Sequence, residues 1–161
     1  MKKIVMISTS IIAVILLIAI VIFTLIYQSA MGQKEKGHDA AIERAKEKTT
    51  LVEVDHVETF VGKEKQYIVE GLNNKKEITY VWVPASKKEQ VLSKTAKEGI
   101  TANEAVQAVQ KENSITKLKD VRLAREGDVL LWEVTYLNED NQYSFSYVDF
   151  TTGKVEKNLT P

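Results

Sequence analysis

An uncharged and almost wholly apolar run between Ile4 and Tyr27 constrains this chain more than any other feature of its sequence. The run contains no Asp, Glu, Lys or Arg. Its polar members are hydroxyl side chains: Ser8, Thr9, Ser10 and Thr24. As a helix it would rise about 36 Å, at about 1.5 Å per residue, whereas the hydrocarbon core of a bilayer is about 30 Å thick. The run therefore predicts a transmembrane helix over residues 4–27.

A cleaved signal peptide is the main alternative to an uncleaved anchor. The apolar region of a signal peptide is shorter, about 7–15 residues, and it ends at a site with small residues. Here the run is longer, and Tyr27 and Gln28 stand where small residues would be needed. An uncleaved anchor is therefore the favoured interpretation, and the same length disfavours a buried core helix.

The flanks of the apolar run predict its orientation. Lys2 and Lys3 precede it, whereas residues 28–33 carry no charge. Under the positive-inside rule, residues 1–3 form a cytoplasmic stub and residues 28–161 form an extracytoplasmic body. We therefore expect a single-pass protein of the cell membrane.

Charge and cysteine content exclude several classes of function. The 161 residues include 22 Lys and Arg, 22 Asp and Glu, and no Cys. A zero net charge argues against nucleic-acid binding, which favours basic surfaces. Without Cys there is no disulfide framework, thiolate nucleophile or Cys-type zinc site. Because Lys2 and Lys3 are the only charged residues before residue 28, the body holds 20 basic and 22 acidic residues.

The first half of the body, residues 28–97, predicts one helix followed by strands. A helix is expected at residues 33–48, where Ala41, Ile42 and Ala45 form a narrow apolar stripe among charged side chains. Strands rich in β-branched and aromatic residues are expected at residues 51–61, 66–70 and 78–83, with a short fourth strand at residues 91–92. Pro84 should end the third strand, because proline cannot donate to a ladder.

The second half, residues 98–161, repeats that order. Thr101 and Glu104 fit a capping box, so an amphipathic helix is expected at residues 101–112. Strands are expected at residues 120–124, 129–137, 143–150 and 155–159. Within the third of these, aromatic residues alternate with Ser144 and Ser146, which predicts one aromatic and one small polar face. Gly153 should supply the positive φ of the last hairpin turn.

The two halves match in more than order. Leu72-Asn73 aligns with Leu137-Asn138, and Tyr80-Val81 aligns with Tyr147-Val148. This indicates an internal duplication. The sequence therefore predicts an α+β fold in which two tandem units, each with one helix over one face of an antiparallel sheet, pack on each other.

Several segments of the chain resemble a known family. Residues 147–155, which read Tyr-Val-Asp-Phe-Thr-Thr-Gly-Lys-Val, resemble the closing hairpin of a PepSY unit. Residues 27–31, 57–65, 80–85 and 123–137 resemble the TseB (YpmB-like) family of Gram-positive bacteria, and the similarity spans the whole length. The resemblance implies a single-pass membrane protein with two cystatin-like (PepSY-like) units, a role in cell-wall elongation and a penicillin-binding transpeptidase partner. It implies no catalytic or cofactor residues.

The residue patterns favour no metal site and no catalytic site. His38 and His56 are the only histidines, and neither has a second ligand at helical or hairpin spacing. No Gly-x-Ser-x-Gly elbow and no phosphate loop is present. A wall hydrolase could in principle use Glu133 and Asp149 for acid–base work, although Asp149 more readily stabilises the turn at residues 151–153. We expect no enzyme activity and no cofactor.

Aromatic side chains on predicted strands are the remaining candidates for a binding site. Five residues form the predicted partner-binding set: Trp82, Trp132, Tyr143, Phe145 and Tyr147. The alternative is that these rings form sheet cores beneath the helices; the binding hypothesis rests on the frequency of Trp and Tyr as interface anchors.

A membrane-tethered, non-catalytic binding protein is therefore the leading hypothesis for function. A PepSY-like regulator or inhibitor of an extracytoplasmic peptidase is the first alternative, and a passive spacer is another. No nucleic acid and no small-molecule substrate are expected.

Overall fold

The computed structural model describes the backbone of residues 2–161 and the side chains of residues 15–27 and 37–161. Within that backbone the elements follow in the order α1 (Lys2–Lys48), β1 (Leu51–Val61), β2 (Lys65–Asn73), β3 (Ile78–Pro84), β4 (Leu92–Thr95), a 3-10 turn (Ala96–Glu98), α2 (Ala102–Glu112), β5 (Lys117–Glu126), β6 (Val129–Leu137), β7 (Tyr143–Asp149) and β8 (Val155–Leu159). The chain divides into two compact units, Met1–Asp39 and Ala40–Pro161.

The predicted membrane helix lies within α1 but partly outside the described residues, because no side chain of residues 4–14 is described. Over the residues that are described, no helix is both long enough and apolar enough to cross a bilayer. The described apolar side chains of this segment are exposed, from 48% at Val21 to 72% at Phe23.

Strands β1–β4 form the first sheet, an antiparallel sheet in chain order. The last turns of α1 cover one of its faces. Ala41 and Ala45, which are 3% and 0% exposed, cluster with Val69, Val81 and Val83. Small alanine side chains let the helix approach the strands closely, so the predicted apolar stripe is confirmed as the packing surface.

Arg44 fixes the loop between β3 and β4, a role that the charged sequence around it did not indicate. Its Nη1 donates to the carbonyls of Pro84 at 2.7 Å and Ser86 at 3.0 Å, and its Nη2 donates to that of Glu89 at 2.6 Å. One planar guanidinium therefore binds the backbone of the loop between β3 and β4 and fixes that loop to α1.

Strands β5–β8 form the second sheet, which has the same chain order and is covered on one face by α2. The helix begins at the predicted capping box: the Glu104 amide donates to Thr101 Oγ1 at 3.3 Å, and the Thr101 amide donates to Glu104 Oε2 at 2.8 Å. Ala105, Val106 and Val109 form its buried stripe. The amphipathic helix predicted from sequence is confirmed.

The turns β2–β3 and β6–β7 have the same geometry. Oδ1 of Asn73 and of Asn138 each accepts a hydrogen bond from the backbone amide four residues later, at 3.0 and 2.9 Å. The third residue after each asparagine, Lys76 and Asn141, has a φ of 61°. Strand β2 thus runs on to Asn73 rather than ending at residue 70, because the turn begins with that asparagine.

Strand β5, at the edge of the second sheet, packs against the first sheet. The indole N–H of Trp82 donates to the Ala124 carbonyl at 2.9 Å, and Gln66 Nε2 donates to the Arg125 carbonyl at 2.8 Å. These side chains satisfy strand groups that would otherwise be left open at the edge. Trp82 also meets Phe150 edge to face, with ring centroids 5.5 Å apart, so the two sheets share one core.

The buried face of β7 is the small polar face. Ser144 and Ser146, 2% and 0% exposed, pair with Tyr136 and Val134 and lie on the side that α2 covers. Ser146 Oγ donates to Asn158 Oδ1 at 2.6 Å and lies 3.2 Å from the Tyr136 hydroxyl, so its polar group is satisfied. The aromatic residues of β7 therefore lie on the opposite face, not beneath the helix.

Candidate interaction surface

The sheet face opposite α2 is the candidate functional surface, and we call it the aromatic face. Residues that pair directly across neighbouring strands project to the same side of a sheet. The register therefore groups the aromatic side chains of β7 with residues of β6, β5 and β8. The aromatic face includes Lys117, Asp120, Arg122, Ala124, Leu131, Glu133, Thr135, Leu137, Tyr143, Phe145, Tyr147, Asp149, Lys157 and Leu159, together with Lys119 at the β5 bulge.

A buried ion pair lies at the centre of this face. Glu133 is 3% exposed, and its Oε1 accepts from Arg122 Nε at 2.8 Å and lies 2.7 Å from Arg122 Nη2. Its Oε2 accepts from the Tyr147 hydroxyl at 2.7 Å. The Arg122 guanidinium also lies 5.0 Å from the centroid of the Phe60 ring, which β1 of the first sheet supplies. Strands of both sheets therefore hold this pair.

The electrostatics of the cluster follow from burial and from this carboxylate. Burial is the main reason that the pKa of Tyr147 lies well above its usual range, and the hydrogen bond to Glu133 adds to the effect. Both oxygens of the Glu133 carboxylate accept hydrogen bonds from side chains of the fold, so this carboxylate has a structural role. Burial likewise raises the pKa of the nearby Glu58 carboxyl, although Arg122 opposes the shift.

Two adjoining clefts lie beside Tyr147. One has a volume of about 160 Å³ and is lined in part by Phe60 and Gly62 of the β1 end. The other, about 290 Å³, reaches Val129 and Glu156. The walls common to both are Glu126, Leu131, Tyr147 and Lys157. Together they form a groove of mixed polarity along the edge of the aromatic face.

A larger polar cleft of about 420 Å³ lies between the β1–β2 and β5–β6 turns. Lys63 Nζ lies 2.7 Å from Glu126 Oε1 across it. The Glu89 carboxyl lies beside that of Glu64 and raises the pKa of Glu64 by hydrogen bonding and repulsion. Its lining charges, three basic and three acidic, largely balance one another.

Two lysines lie over aromatic rings of β7. Lys119 Nζ is 5.3 Å from the Tyr143 centroid, and Lys157 Nζ is 5.6 Å from the Tyr147 centroid. Such cation–π contacts hold an ammonium group in place without neutralising it. The aromatic face therefore combines apolar side chains with positioned positive charge.

The structure separates the five aromatic residues expected to bind a partner into two groups. Trp82 and Trp132 are interior residues, 0% and 6% exposed, and the Trp132 N–H donates to the Ile100 carbonyl at 2.9 Å. Tyr143 is 53% exposed, and Phe145 and Tyr147 are half-buried beside it. Only the β7 residues lie on the aromatic face, and their role in binding stays a prediction.

Asp149, the possible catalytic partner of Glu133, also makes its hydrogen bonds within the fold. Asp149 Oδ1 accepts from the amides of Thr151 and Thr152 at 3.0 and 2.7 Å, so its predicted role in the turn is confirmed. Gly153 has the expected positive φ, at 73°. Among the described residues, no group of three or more His, Asp or Glu side chains is placed to hold a metal ion.

Sequence reasoning missed Arg122 and Lys157, which complete the face. One signal in the sequence could have indicated a partner such as Arg122. Glu133 lies within a run of apolar residues, where a buried carboxylate needs a cationic partner. The cross-strand neighbour that supplies it depends on the register of β5 against β6.

Comparisons with known proteins agree with this architecture. A family model described as "Cell wall elongation regulator TseB-like domain" matches residues 40–84, and one described as "Peptidase propeptide and YPEB domain" matches residues 99–159. The curated "Probable cell wall elongation regulator TseB" of Bacillus subtilis (strain 168) is 55% identical over 161 residues, which is 100% of both chains. The solved structure of the YpmB protein from Bacillus subtilis is 59% identical, with a TM-score of 0.76, over 78% of this chain and 98% of that one. The family resemblance seen in the sequence is thus confirmed, and the chain belongs to the TseB (YpmB-like) family.

Proposed function

We propose that this chain is a membrane-anchored, extracytoplasmic regulator of cell-wall elongation that acts by binding and not by catalysis. Its proposed partner is a penicillin-binding transpeptidase. The observation that carries the proposal is the full-length relationship, at 55% identity, to a protein named as a probable cell wall elongation regulator. The aromatic face supplies the surface on which binding would occur.

Anchoring by residues 4–27 is supported by the exposed apolar side chains of α1. Apolar residues from Ile15 to Ile26 are about half or more exposed all round the helix. A helix that is apolar on every side is stable in lipid and unfavourable in water. Because Lys2 and Lys3 precede the run and residues 28–33 carry no charge, we place residues 1–3 in the cytoplasm and the body outside it. Protease added to protoplasts should then digest the body.

Two tandem units, residues 28–97 and 98–161, form the proposed body. The matched turns at Asn73 and Asn138 and the identical strand order of the two sheets support an internal duplication. Tethering in the membrane confines such a body to two dimensions and raises its effective concentration near other membrane proteins.

Photo-crosslinking in cells tests the partner. A photoreactive amino acid in place of Tyr143 should give an adduct that also carries a fluorescent β-lactam label, because penicillin-binding transpeptidases are acylated by β-lactams. The same amino acid in place of Gln107, which is exposed on α2, is the matched control and should give no such adduct. Adducts that never carry the label, with the anchored protein expressed normally, would refute the proposed partner.

The non-catalytic part of the proposal has its own test. The purified full chain should release no soluble fragments from peptidoglycan. Release that Glu133→Gln or Asp149→Asn abolished, with the fold intact, would show that the protein is a hydrolase.

A regulator or inhibitor of an extracytoplasmic peptidase is the second candidate. The match of residues 99–159 to a family described as a peptidase propeptide domain favours it. It predicts that the full chain slows proteolysis by a membrane-associated peptidase in a purified assay. Slowed proteolysis, together with no labelled adduct in the crosslinking experiment, would favour this candidate over the transpeptidase regulator.

A further inference from the structure

The charges on the aromatic face are unevenly satisfied. Each acidic residue in the groove region is already paired within the fold: Glu133 with Arg122, Glu126 with Lys63 at 2.7 Å, and Glu156 with Lys154 at 3.1 Å. Asp120, at the β5 bulge, accepts a hydrogen bond from the neighbouring Val121 amide.

Lys119 and Lys157 differ from these pairs. Among the described side chains, neither ammonium lies within salt-bridge distance of a carboxylate, and each rests over a tyrosine ring. Both are exposed, and an exposed ammonium over a ring keeps its charge available to an anion. The face therefore presents two ammonium groups in defined positions that no salt bridge of the described residues neutralises, although the hydrogen bond from Lys63 and, less strongly, the charge of Lys157 lower the pKa of the Glu126 carboxyl.

Apolar side chains lie between these two charges. Phe145 is half-buried and pairs across strands with Leu159, which is 41% exposed, while Tyr143 beyond them is 53% exposed. A polyphosphate chain would leave these apolar groups unused, whereas an apolar centre with charged surroundings is the usual composition of a protein interface. The ring faces of Tyr143 and Tyr147 are partly occupied by the lysines, which disfavours sugar stacking on them.

The geometry of β8 indicates how a protein segment would lie. β8 ends the second sheet, since the strand order is β5-β6-β7-β8. An extended segment that pairs with an edge strand gains backbone hydrogen bonds and places alternate side chains on one face of the sheet. Beside β8, those side chains would lie next to Lys157 and Leu159.

We infer that the aromatic face and the free edge of β8 receive an extended segment of a partner protein in which the side chains that face the sheet, every second residue, are acidic and apolar in turn. This inference rests on the proposed function, because it assigns the chemistry of the segment by which the partner would bind. The acidic side chains pair with Lys157 on β8 and, where the partner extends across the face to Tyr143, with Lys119, while the apolar ones cover Phe145 and Leu159.

The experiment uses the isotopically labelled full chain in a neutral detergent and a synthetic peptide of the repeat Glu-Ser-Val-Ser, which places Glu and Val in turn on one side of an extended segment. The peptide should shift the backbone amide resonances of β7 and β8 and leave those of α2 unchanged. K119E/K157E should weaken binding about tenfold, because two attractions become repulsions. K87E/K88E, which reverses two exposed lysines in the β3–β4 loop, is the charge-matched control and should bind like the unaltered chain.

Three further ligands test whether an acidic protein segment is the preferred occupant. A basic peptide of the repeat Lys-Ser-Val-Ser, inorganic polyphosphate and vesicles of phosphatidylglycerol should each shift these resonances less than the acidic peptide. The inference is overturned if the acidic peptide produces no shift at millimolar concentration, if K119E/K157E binds it unchanged, or if polyphosphate or vesicles bind the face more tightly. The photo-crosslinking test can fail while this result stands, so the two failures are distinguishable.

Discussion

Removing the Glu133 carboxylate is the change that most directly tests the centre of the aromatic face. Glu133→Ala leaves the Arg122 guanidinium without its anion and the Tyr147 hydroxyl without its acceptor. Breaking a buried ion pair costs about 3–5 kcal/mol. The Arg122 side chain is 31% exposed and can be partly rehydrated, so we expect a loss of about 3 kcal/mol at the lower end of that range.

Glu133→Gln separates the charge from the shape. Glutamine fills the same volume and still accepts from Arg122, while its amide can donate to Tyr147. Since hydrogen bonds to charged groups contribute about 1.5–3 kcal/mol and neutral ones about 1 kcal/mol, the loss should be about half that of the alanine variant. The double variant R122M/E133L removes both charges and should be more stable than either single truncation.

Urea unfolding of the full chain in neutral detergent measures these differences. The fluorescence of Trp82 and Trp132 reports the transition, because both rings are buried in the shared core. The control is Glu156→Ala, which removes an exposed ion pair with Lys154 and should cost less than about 0.5 kcal/mol. If Glu133→Ala also cost less than about 0.5 kcal/mol, or if the effects of R122M and E133L were simply additive, the ion pair would not be coupled and the reasoning would be refuted.

Three further predictions concern single residues. Trp82→Phe should cost about 1–3 kcal/mol in urea unfolding, because it leaves the Ala124 carbonyl without its donor in a fully buried position; an unchanged midpoint would contradict this. Gly71→Ala should prevent folding or shift the midpoint severely, since its Cβ would lie 1.9 Å from a β1 carbonyl oxygen. Gly127→Ala, which meets open space at a φ of +60°, should cost only about 1 kcal/mol, and equal losses at the two glycines would argue against the close approach of β1 and β2. The pKa of Tyr147 is raised in the folded state, so its hydroxyl stabilises the fold below the unfolded pKa of about 10 and this contribution is lost as the pH rises through the folded pKa. Because Tyr147 should not ionise near pH 10, the change in tyrosine absorbance near that pH should have the same amplitude in Tyr147→Phe as in the unaltered chain. An amplitude smaller by one tyrosine in the variant would show that the pKa of Tyr147 is ordinary.

The sequence predicted most of the local structure of the body. The capping box at Thr101, the stop at Pro84 and the Asp149 turn each depend on side chains that act within a few residues of themselves. Local chemistry of this kind is visible in the order of residues. Alternation along β7 likewise showed that the strand has one aromatic and one small polar face.

What the sequence could not supply was the assignment of those faces. Whether Ser146 or Tyr147 lies beneath α2 depends on how a helix far along the chain meets the sheet. The same holds for Trp82, whose ring is buried because β5 of the second sheet packs across it, and for Arg44, whose guanidinium binds the loop at residues 85–91. Each of these contacts joins residues separated by about 40 positions, and no local pattern encodes them.

The sequence by itself determined the apolar run at residues 4–27, the family, and the existence and order of the helices and strands of the body, because these follow from composition and short-range periodicity. The tertiary structure decided which aromatic residues are core and which are surface, and it brought Arg122, Glu133 and Tyr147 together. The physical reason is that burial is a property of what packs against a side chain. That neighbour is set by sheet register and by helix placement, which only the folded chain specifies.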